Sequence, residues 1–273
     1  MKYDMDLSRA LEIASRSDTG RVRSHNEDSI ACDAATGLVV LADGMGGYNA
    51  GEVASGIAVT LMVSGVKEAL ARADEMDIKS GESLLRGQVI AANSAIFDAA
   101  QSRTDYAGMG TTVVAALFYD DRVSVAHLGD SRLYRLRDEK LELLTRDHSL
   151  LQEQLDRGML TLEEARVSRH RNIVTRALGV EREAEVEVGS FDVLPDDIYL
   201  LCSDGLNDML DDEEIRLAVQ TLKSNMKLAA DQLVELANEN GGRDNISVIL
   251  VKVKQSFAVR KGLIAKLRSS FRK

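Results

Sequence analysis

The sequence predicts an α+β fold in which antiparallel β-sheets are covered by helices on their outer sides. Two observations favour this class. Short segments rich in Val, Ile and Leu come in hairpin-like pairs, and strict β-α-β alternation is absent. The helical segments are grouped between those pairs, where they can pack against the sheets. A doubly wound parallel sheet is therefore disfavoured.

The predicted strands are short apolar segments, several of which end at Gly or Asp. In TTVVAALFYDDRVSVAHLGD two of them form a hairpin that turns at Asp120–Asp121. In chain order the predicted strands are Leu38–Ala42, Thr111–Phe118, Arg122–His127, Arg132–Leu136, Ile198–Ser203 and Ile246–Val253.

The predicted helices are segments whose apolar residues recur near the helical period. In the first of them, Val53, Ile57, Leu61 and Val66 form one apolar stripe. Asp74–Gly81 is polar and is predicted to be a surface loop. In chain order the predicted helices are Glu52–Ala73, Glu82–Ser102, Leu150–Arg157, Leu162–Ser168, Asp212–Ser224 and Leu228–Asn238.

The chain is expected to form one domain over residues 1–253, because it has a single proline, no Pro/Ser-rich linker and no internal repeat. Within it, residues 145–178 are highly charged and carry two short helical patterns. We call this segment the flap, and we expect it to lie over a sheet edge and to cover a site. Residues 254–273 form a basic tail with seven Lys and Arg residues and no acidic residue.

Charge and composition narrow the class of protein. The net charge of −10 argues against general nucleic-acid binding. No apolar run approaches the ~18 residues of a membrane span, and the N-terminus lacks a signal-peptide pattern. Cys32 and Cys202 form no C-x-x-C pair and no zinc spacing, so we expect buried, reduced thiols in a cytoplasmic protein. We expect a monomer.

The basic tail permits two interpretations. Leu263, Ile264, Leu267 and Phe271 fall near helical spacing, with Lys and Arg between them. Such a helix could bind an anionic membrane surface or an acidic partner. Alternatively, the tail is a frayed, solvated terminus or a helix docked on its own acidic body.

Four short acidic stretches, far apart in the chain, carry the prediction of function. They are NED (26–28), ADGMGG (42–47), SDGL (203–206) and GGRDN (241–245). Any one of them could be a turn in which Asp bonds its own backbone. Together they predict a cluster of oxygen ligands for Mg²⁺ or Mn²⁺. The candidate ligands are Glu27, Asp28, Asp43, Asp204 and Asp244, and Asp130 after Gly129 repeats the pattern.

The chemistry of such a cluster explains why it would exist. Carboxylates brought together repel one another and oppose folding, and divalent cations remove that cost. Two ions ~3.5–4 Å apart can lower the pKa of a shared water and neutralise a phosphoryl group. Arg23, just before Glu27, is the candidate phosphate-binding residue. A plain surface salt bridge is the alternative for Arg23, and spacing does not exclude Arg21 from the phosphate role.

Eight segments in order carry a family resemblance: SDTGRVRSHNEDS, LVVLADGMGGYNAGEVAS, GMGTTVVAAL, VAHLGDSRLYRL, LTRDHS, VTRALG, LLCSDGL and GGRDNISVILV. Over about residues 17–252 the chain resembles the metal-dependent protein phosphatases, the type 2C serine/threonine phosphatases, in their short bacterial form. The resemblance implies a four-layer αββα sandwich of two antiparallel sheets face to face. It also implies hydrolysis of phosphoserine and phosphothreonine in proteins, by direct attack of a metal-bound hydroxide.

The resemblance also implies a role for each acidic residue. Asp43 would bridge two ions, and the carbonyl of Gly44 would bind one of them. Asp204 and Asp244 would complete the shell of the first ion, and Glu27 would serve the second.

Further roles follow from the same motifs. Asp28 would act on the second ion directly or through water, and Asp130 with Asp204 would hold a third, weaker ion. Arg23 would bind the phosphate. Met45 stands where many eukaryotic members carry a histidine proposed as the acid for the leaving alcohol, so another group, such as a metal-bound water, must donate that proton.

His148 is one candidate for that donor, although a structural role is favoured for it. His25, His127 and His170 are no better as donors. Cys202 is rejected as a nucleophile, because no basic partner is near it in sequence.

Three functions remain to be distinguished. The first is a phosphoprotein phosphatase with a serine/threonine kinase and its substrates as partners. The second is a regulatory module of the same fold without turnover, and the third is a phosphatase for a small phosphorylated metabolite. The complete set of acids favours an enzyme, because a degenerate site is expected to have lost one.

Overall fold

The computed structural model describes residues 6–47, 50–161, 164 and 173–259. Within these residues the strands form two antiparallel sheets, as predicted. The strands are β1 Leu11–Asp18, β2 Asp28–Asp33, β3 Leu38–Met45, β4 Gly110–Thr111, β5 Val113–Tyr119, β6 Arg122–Leu128, β7 Arg132–Arg137, β8 Lys140–Leu143, β9 Glu187–Asp192, β10 Ile198–Cys202 and β11 Ile246–Val253.

The order of strands places chain segments far apart in sequence side by side. One sheet has the order β1-β11-β10-β7-β8. The other has the order β2-β3-β5-β6-β9, with the short β4 also paired to β3. Every pair in both sheets is antiparallel.

The helices cover the outer faces of the sheets. The first two pack on the sheet that contains β3, and the last two pack on the sheet that contains β11. A 3₁₀ turn spans Thr104–Tyr106. The α-helices are α1 Ala50–Arg72, α2 Ile78–Ser102, α3 Leu150–Asp156, α4 Asp204–Asn207, α5 Asp212–Thr221 and α6 Met226–Glu239.

The side chains of β3 show how the layers form. Alternate residues of a strand point to opposite faces. Val39 and Leu41 pack between the two sheets, together with Leu201 and Ile249 of the other sheet. Leu38, Val40 and Ala42 point outward to the cluster under α1 and α2. All of these side chains are buried, and the predicted four-layer αββα sandwich is confirmed.

Four strands were not predicted, and all four lie at sheet edges. β1 and β8 flank one sheet, and β2 and β9 flank the other. Edge strands have one unpaired side and carry polar, half-exposed residues. They therefore lack the continuous apolar run that identifies a central strand in sequence.

The loop predicted at Asp74–Gly81 is wrong over its last residues. Asp77 caps α2, because its carboxylate accepts the Ser80 N–H and its own backbone N–H donates to the Ser80 hydroxyl, so the helix begins at Ile78. The remaining helix boundaries differ from prediction by a few residues. Of the predicted helix Leu162–Ser168, all residues except Glu164 lie outside the described residues.

By length and composition, α1 is apolar enough to cross a membrane. In this fold it packs against β3 and α2. One side of it, with Ala54, Ala58 and Met62, is fully buried in the outer core layer. The apolar composition of α1 is therefore that of a helix lying on a sheet.

The predicted hairpin turn at Asp120–Asp121 is confirmed, with φ values of 45° and 52° at the two residues. Its carboxylates accept backbone N–H groups of the segment after β11: Asp121 from Phe257 at 2.6 Å, and Asp120 from Val259 at 2.7 Å. Phe257 is buried between the sheets. Residues 254–259 therefore pack on the body, and the rest of the predicted tail lies outside the described residues.

The prediction for the two cysteines is half right. Both are free thiols, and Cys202 is buried on β10, but Cys32 is exposed. Cys32 lies on the edge strand β2, where alternate side chains face outward.

Candidate metal centre

The predicted acidic residues meet at one edge of the sandwich, where strands of both sheets end. Asp28 on β2 lies directly opposite Asp43 on β3. The second oxygen of Asp28 accepts a hydrogen bond of 2.9 Å from the Ser203 hydroxyl, which follows β10 in the other sheet. The contact joins the two sheets at the point where Asp204 begins α4.

Asn245 fixes the first acidic stretch against the last one. Its side-chain oxygen accepts the Glu27 N–H at 2.8 Å. Its amide nitrogen donates to the carbonyls of Thr19 and His25, at 3.0 and 2.9 Å. Because Asn245 directly follows Asp244, these bonds place Glu27 and Asp244 on the same side of the centre.

Glycines allow the backbone to approach the centre closely. A Cβ on Gly44 would lie 2.2 Å from the Gly51 carbonyl oxygen, and one on Gly51 would lie 2.8 Å from Glu27 Oε1. The Gly44 N–H donates to the Glu27 carbonyl at 3.2 Å. The start of α1, the end of β3 and the Glu27 carboxylate are therefore in contact, with no room for a side chain between them.

Thr112 connects Asp43 to the turn that carries Asp130. The Asp43 N–H donates to the Thr112 hydroxyl at 3.1 Å, and the Thr112 N–H donates to the Asp43 carbonyl at 2.8 Å. The same hydroxyl lies 2.7 Å from that of Ser131. A buried polar network thus holds both acids.

The acids repel one another strongly in this arrangement. Burial raises the pKa of Asp43 well above its ordinary value, and the charges of Asp28, Asp204, Asp130 and Asp244 add to that rise. Burial and neighbouring carboxylates raise the pKa of Asp204 in the same way. The pKa of Asp130 is about 7 and that of Asp28 about 6, in both cases chiefly because of burial.

The residues present fit divalent cations. Among the described residues, Glu27 Oε1, Asp28 Oδ1 and Asp204 Oδ1 are buried without any hydrogen-bond partner. Buried polar atoms are normally paired, so unpaired carboxylate oxygens in a group of acids fit a binding site for cations. A set of carboxylate and carbonyl oxygens suits Mg²⁺ or Mn²⁺.

Arg23 lies at the acidic cluster and Arg21 does not. Arg23 Nη2 donates to Asp244 Oδ2 at 2.7 Å, and this bond is the main reason why the pKa of Arg23 is raised. The Arg23 side chain is 51% exposed, so other N–H donors of its guanidinium face the solvent. Arg21 is aimed at Glu235, with the nearest atoms 3.8 Å apart. The geometry therefore favours Arg23 as the phosphate-binding residue.

Neither Met45, which replaces the histidine of many eukaryotic members, nor His148, the candidate donor, is well placed to protonate the leaving alcohol. Met45, the last residue of β3, has its methyl group beside Gly110 and carries no proton to donate. His148 is buried, and its Nδ1 accepts the Gly129 N–H at 3.1 Å. Its role in the fold is thus structural, as the sequence favoured. His25 is exposed, and His170 lies outside the described residues.

Several supporting residues were not singled out in the sequence. Ser55 donates to the Glu27 carbonyl at 2.6 Å, and Asp147 and Asp208 are acidic neighbours whose charges raise the pKa of Asp130. Ser203 and Asn245 each adjoin an acid within the motifs already quoted, and Thr112 stands two residues after Gly110 in another of them. A polar side chain within such a motif was the sequence signal from which each of these residues could have been identified.

Comparison with known proteins agrees with this geometry. A family model described as "Protein phosphatase 2C" matches residues 19–250. The serine/threonine phosphatase Stp of Listeria welshimeri is 42% identical over 244 residues, covering 87% of this chain and 94% of that protein.

Two solved structures resemble this one over nearly its whole length. The Mycobacterium tuberculosis serine/threonine phosphatase PstP/Ppp superposes with a TM-score of 0.83 at 39% identity, covering 90% of this chain and 100% of that one. The catalytic domain of the serine/threonine protein phosphatase PstP in complex with two manganese ions gives a TM-score of 0.80 at 39% identity, covering 90% and 99%.

Proposed function

The chain belongs to the protein phosphatase 2C family, and we propose that it hydrolyses phosphoserine and phosphothreonine in proteins by direct attack of an activated water. Its relatives are named serine/threonine phosphatases, and the chain is a protein serine/threonine phosphatase of the 2C type. The observation that carries the proposal is the convergence of unpaired, buried carboxylate oxygens at one sheet edge.

Two Mn²⁺ or Mg²⁺ ions bound there would lower the pKa of water and neutralise charge on the phosphoryl oxygens. Asp43 would contact both ions and the Gly44 carbonyl one of them. Asp204 and Asp244 would bind the first ion, and Glu27 the second. The fit to two manganese ions is supported by the PstP catalytic domain that contains them.

A second group of residues would act on the substrate and on further cations. Asp28 would bind the second ion directly or through water, and Asp130 with Asp204 would hold a third, weaker ion. The exposed part of the Arg23 guanidinium would orient the phosphate with parallel N–H donors. The leaving alcohol would take its proton from water, because Met45 cannot supply one.

The two alternatives are less well supported. A binding module without turnover would not need every acid, yet all of the acids implied by the resemblance lie at the centre. A small-metabolite phosphatase would need an enclosed pocket for its substrate, whereas Arg23 faces open solvent. We therefore propose cytoplasmic phosphoproteins as substrates, with a serine/threonine kinase and its targets among them.

The test is hydrolysis of a phosphothreonine peptide with Mn²⁺, with EDTA, and by an Asp43→Asn variant. We expect turnover that requires the metal and falls by at least about a thousandfold in the variant, because the carboxylate shared by both ions is lost. A folded protein that binds Mn²⁺ without metal-dependent turnover would support the regulatory module. Turnover of small phosphate esters but not of phosphopeptides would support the metabolite phosphatase.

A further inference from the structure

A second group of titratable side chains lies beside the acidic cluster and takes no part in the chemistry above. His127 on β6 and His148 in the flap are buried, and their rings stack with centroids 4.9 Å apart at an angle of 11°. Glu187, the first residue of β9, reaches both: its carboxylate oxygens lie 3.0 Å from His148 Nε2 and 3.8 Å from His127 Nε2. We call these three residues the histidine cluster.

Two histidines and a carboxylate could in principle bind zinc, because their ligand atoms lie within 4.8 Å of one another. The hydrogen-bond partners argue against this. His148 Nδ1 accepts the Gly129 N–H, so the ring proton of neutral His148 is on Nε2. His127 Nε2 lies 2.9 Å from the Arg146 carbonyl and donates to it, because this contact is shorter than the 3.4 Å contact to the Arg146 N–H. Both nitrogens that face Glu187 therefore carry protons, whereas a metal needs a free lone pair.

On one side, His148 holds the turn that precedes Asp130. Its backbone N–H donates to the Gly129 carbonyl at 2.9 Å, and its ring accepts the Gly129 N–H at 3.1 Å. Gly129 has φ of 109°, and a Cβ there would lie 2.6 Å from the Thr112 side chain. Gly129 has no side chain with which to hold this turn in place, so a residue from another segment has to hold it.

On its other side, His148 closes the base of the flap. Its carbonyl accepts the Thr175 N–H at 2.8 Å, and two residues further on the Leu150 N–H donates to the Ile173 carbonyl at 2.9 Å. Its Nε2 lies 3.0 Å from Glu187 Oε1. The same oxygen lies 3.7 Å from the guanidinium of Arg176, on the returning arm of the flap.

We propose that His148 is a positioning residue that fixes the turn bearing Asp130 against β9 and the base of the flap, with Nδ1 facing Gly129 and Nε2 facing Glu187. The inference rests on the proposed function, because the position of Asp130 matters only if that residue binds a cation. The link couples the flap to the cation affinity at Asp130. By thermodynamic reciprocity, a cation at Asp130 then also stabilises the closed base of the flap.

Variants of His148 should still fold, because other contacts hold the same segment. The Arg132 guanidinium makes hydrogen bonds of 2.9 and 2.6 Å to the two oxygens of Asp147. The Leu133 N–H donates to the Thr145 hydroxyl at 3.0 Å. Both contacts are independent of the imidazole.

Two conservative substitutions separate the functions of the two ring nitrogens. In His148→Asn, the amide oxygen takes the place of Nδ1 and can still accept the Gly129 N–H, while the contact to Glu187 is lost. In His148→Gln, the amide nitrogen takes the place of Nε2 and can still donate to Glu187, while the acceptor for Gly129 is lost. If the imidazole of His148 only filled space, the two substitutions would have equal effects.

The measurements are amide hydrogen exchange in the metal-free protein and Mn²⁺ titration by calorimetry. For His148→Gln we expect about tenfold faster exchange at Gly129 and about tenfold weaker binding of the weakest Mn²⁺ ion, with the tighter ions unaffected. For His148→Asn we expect Gly129 exchange and Mn²⁺ binding to change by less than about twofold, while the Thr175 amide exchanges about tenfold faster.

A matched pair of variants on β9 provides the control. Glu187→Ala should behave as His148→Asn does, because it removes the same contact from the other side. Asp192→Ala, at the opposite end of that strand, removes an exposed ion pair to Arg122 at 3.0 Å. It should leave exchange at Thr175 and Gly129 unchanged.

The outcomes distinguish this inference from the proposed function. Equal effects of the Asn and Gln variants on Gly129 exchange would overturn the positioning role. So would stoichiometric Zn²⁺ binding that moves the imidazole nitrogen resonances of His127 and His148 in NMR spectra. A parent protein that binds no Mn²⁺ would refute the proposed function, while Gly129 exchange would still decide the positioning role. Two bound ions with no third would overturn the coupling to Asp130.

Discussion

At the scale of single residues, the centre is a set of charges held in place by neutral neighbours. Asn245, Ser203 and Thr112 each bond the backbone or side chain of an acid and bring no charge of their own. Their hydrogen bonds leave one buried carboxylate oxygen of Glu27 and one of Asp204 unpaired. Orientation is thus determined by polar residues, and the affinity for cations by the acids.

Arg23 and Arg21 make a matched pair for testing the phosphate-binding residue. We expect Arg23→Ala to lower kcat/KM for a phosphopeptide about a hundredfold, because charged donors to the transferred group are lost. Arg21→Ala should change kcat/KM by less than about threefold, because Arg21 is aimed at Glu235 on the surface. Steady-state kinetics at saturating Mn²⁺ measures both. Equal losses in the two variants would contradict the assignment.

At the scale of elements, the centre depends on the contact between β3 and the first turn of α1. Gly44 and Gly51 meet there, beside the Glu27 carboxylate. Helix α1 also contains Gly56, where an added Cβ would meet nothing within 4 Å. The same helix therefore offers a sensitive and an insensitive position for one substitution.

We expect Gly51→Ala to weaken Mn²⁺ binding at least about tenfold, because the new methyl group displaces Glu27 Oε1. Gly56→Ala should leave Mn²⁺ binding unchanged and stabilise the protein by about 0.5–1 kcal/mol through helix propensity. Calorimetric titration and thermal unfolding measure the two effects. Unchanged Mn²⁺ affinity in Gly51→Ala would show that Glu27 Oε1 does not bind the ion from the position described above.

At the scale of the whole molecule, the core between the two sheets favours their packing. The repulsion among the acids at the edge of that core opposes it. The core between the sheets draws on β3 and β5 of one sheet and β10 and β11 of the other. Docking of the sheets brings Asp28 and Asp43 to Asp204 and Asp244. Without cations, folding therefore works against the repulsion of these charges.

The stability of the metal-free protein should fall as the pH rises from about 5 to 7.5. The pKa values of Asp28 and Asp130, about 6 and about 7, lie above those of unfolded Asp. Between the pKa of unfolded Asp and the raised pKa of the folded state, the folded state binds more protons than the unfolded state. Raising the pH there disfavours folding by up to about 1.4 kcal/mol per pH unit for each such group. The contribution of Asp28 levels off above about pH 6 and that of Asp130 above about pH 7. Saturating Mn²⁺ should remove this decline, because it replaces the protons.

Comparing the stability of the parent protein with that of Asp43→Asn isolates the contribution of the acidic cluster. Burial lowers the pKa of His127, which acts in the opposite direction below about pH 6.5, and the variant shares this residue with the parent. Metal-free Asp43→Asn should unfold at a higher temperature than the parent at pH 7.5, and Mn²⁺ should stabilise it less. Thermal unfolding across the pH range measures this. A metal-free parent whose advantage over the variant grows with pH would contradict the account.

By itself, the sequence determined the fold class, the central strands and the identity of the acids. Central strands and core helices follow from apolar periodicity, because burial on both faces or along one stripe leaves a local pattern. The acids beside glycine, Asp43 and Asp204 above all, were visible because the motifs are local too. Edge strands such as β1 and β9 were not visible, because their polar residues resemble those of loops.

Only the tertiary structure decided which residues meet. That Asn245 bonds Glu27, that Ser203 bonds Asp28, and that His148 contacts both Gly129 and Glu187 follows from the pairing and docking of strands distant in sequence. The rise of the carboxylate pKa values likewise depends on burial and on neighbours from the other sheet. These properties arise from distances between segments, and a local sequence pattern carries no information about such distances.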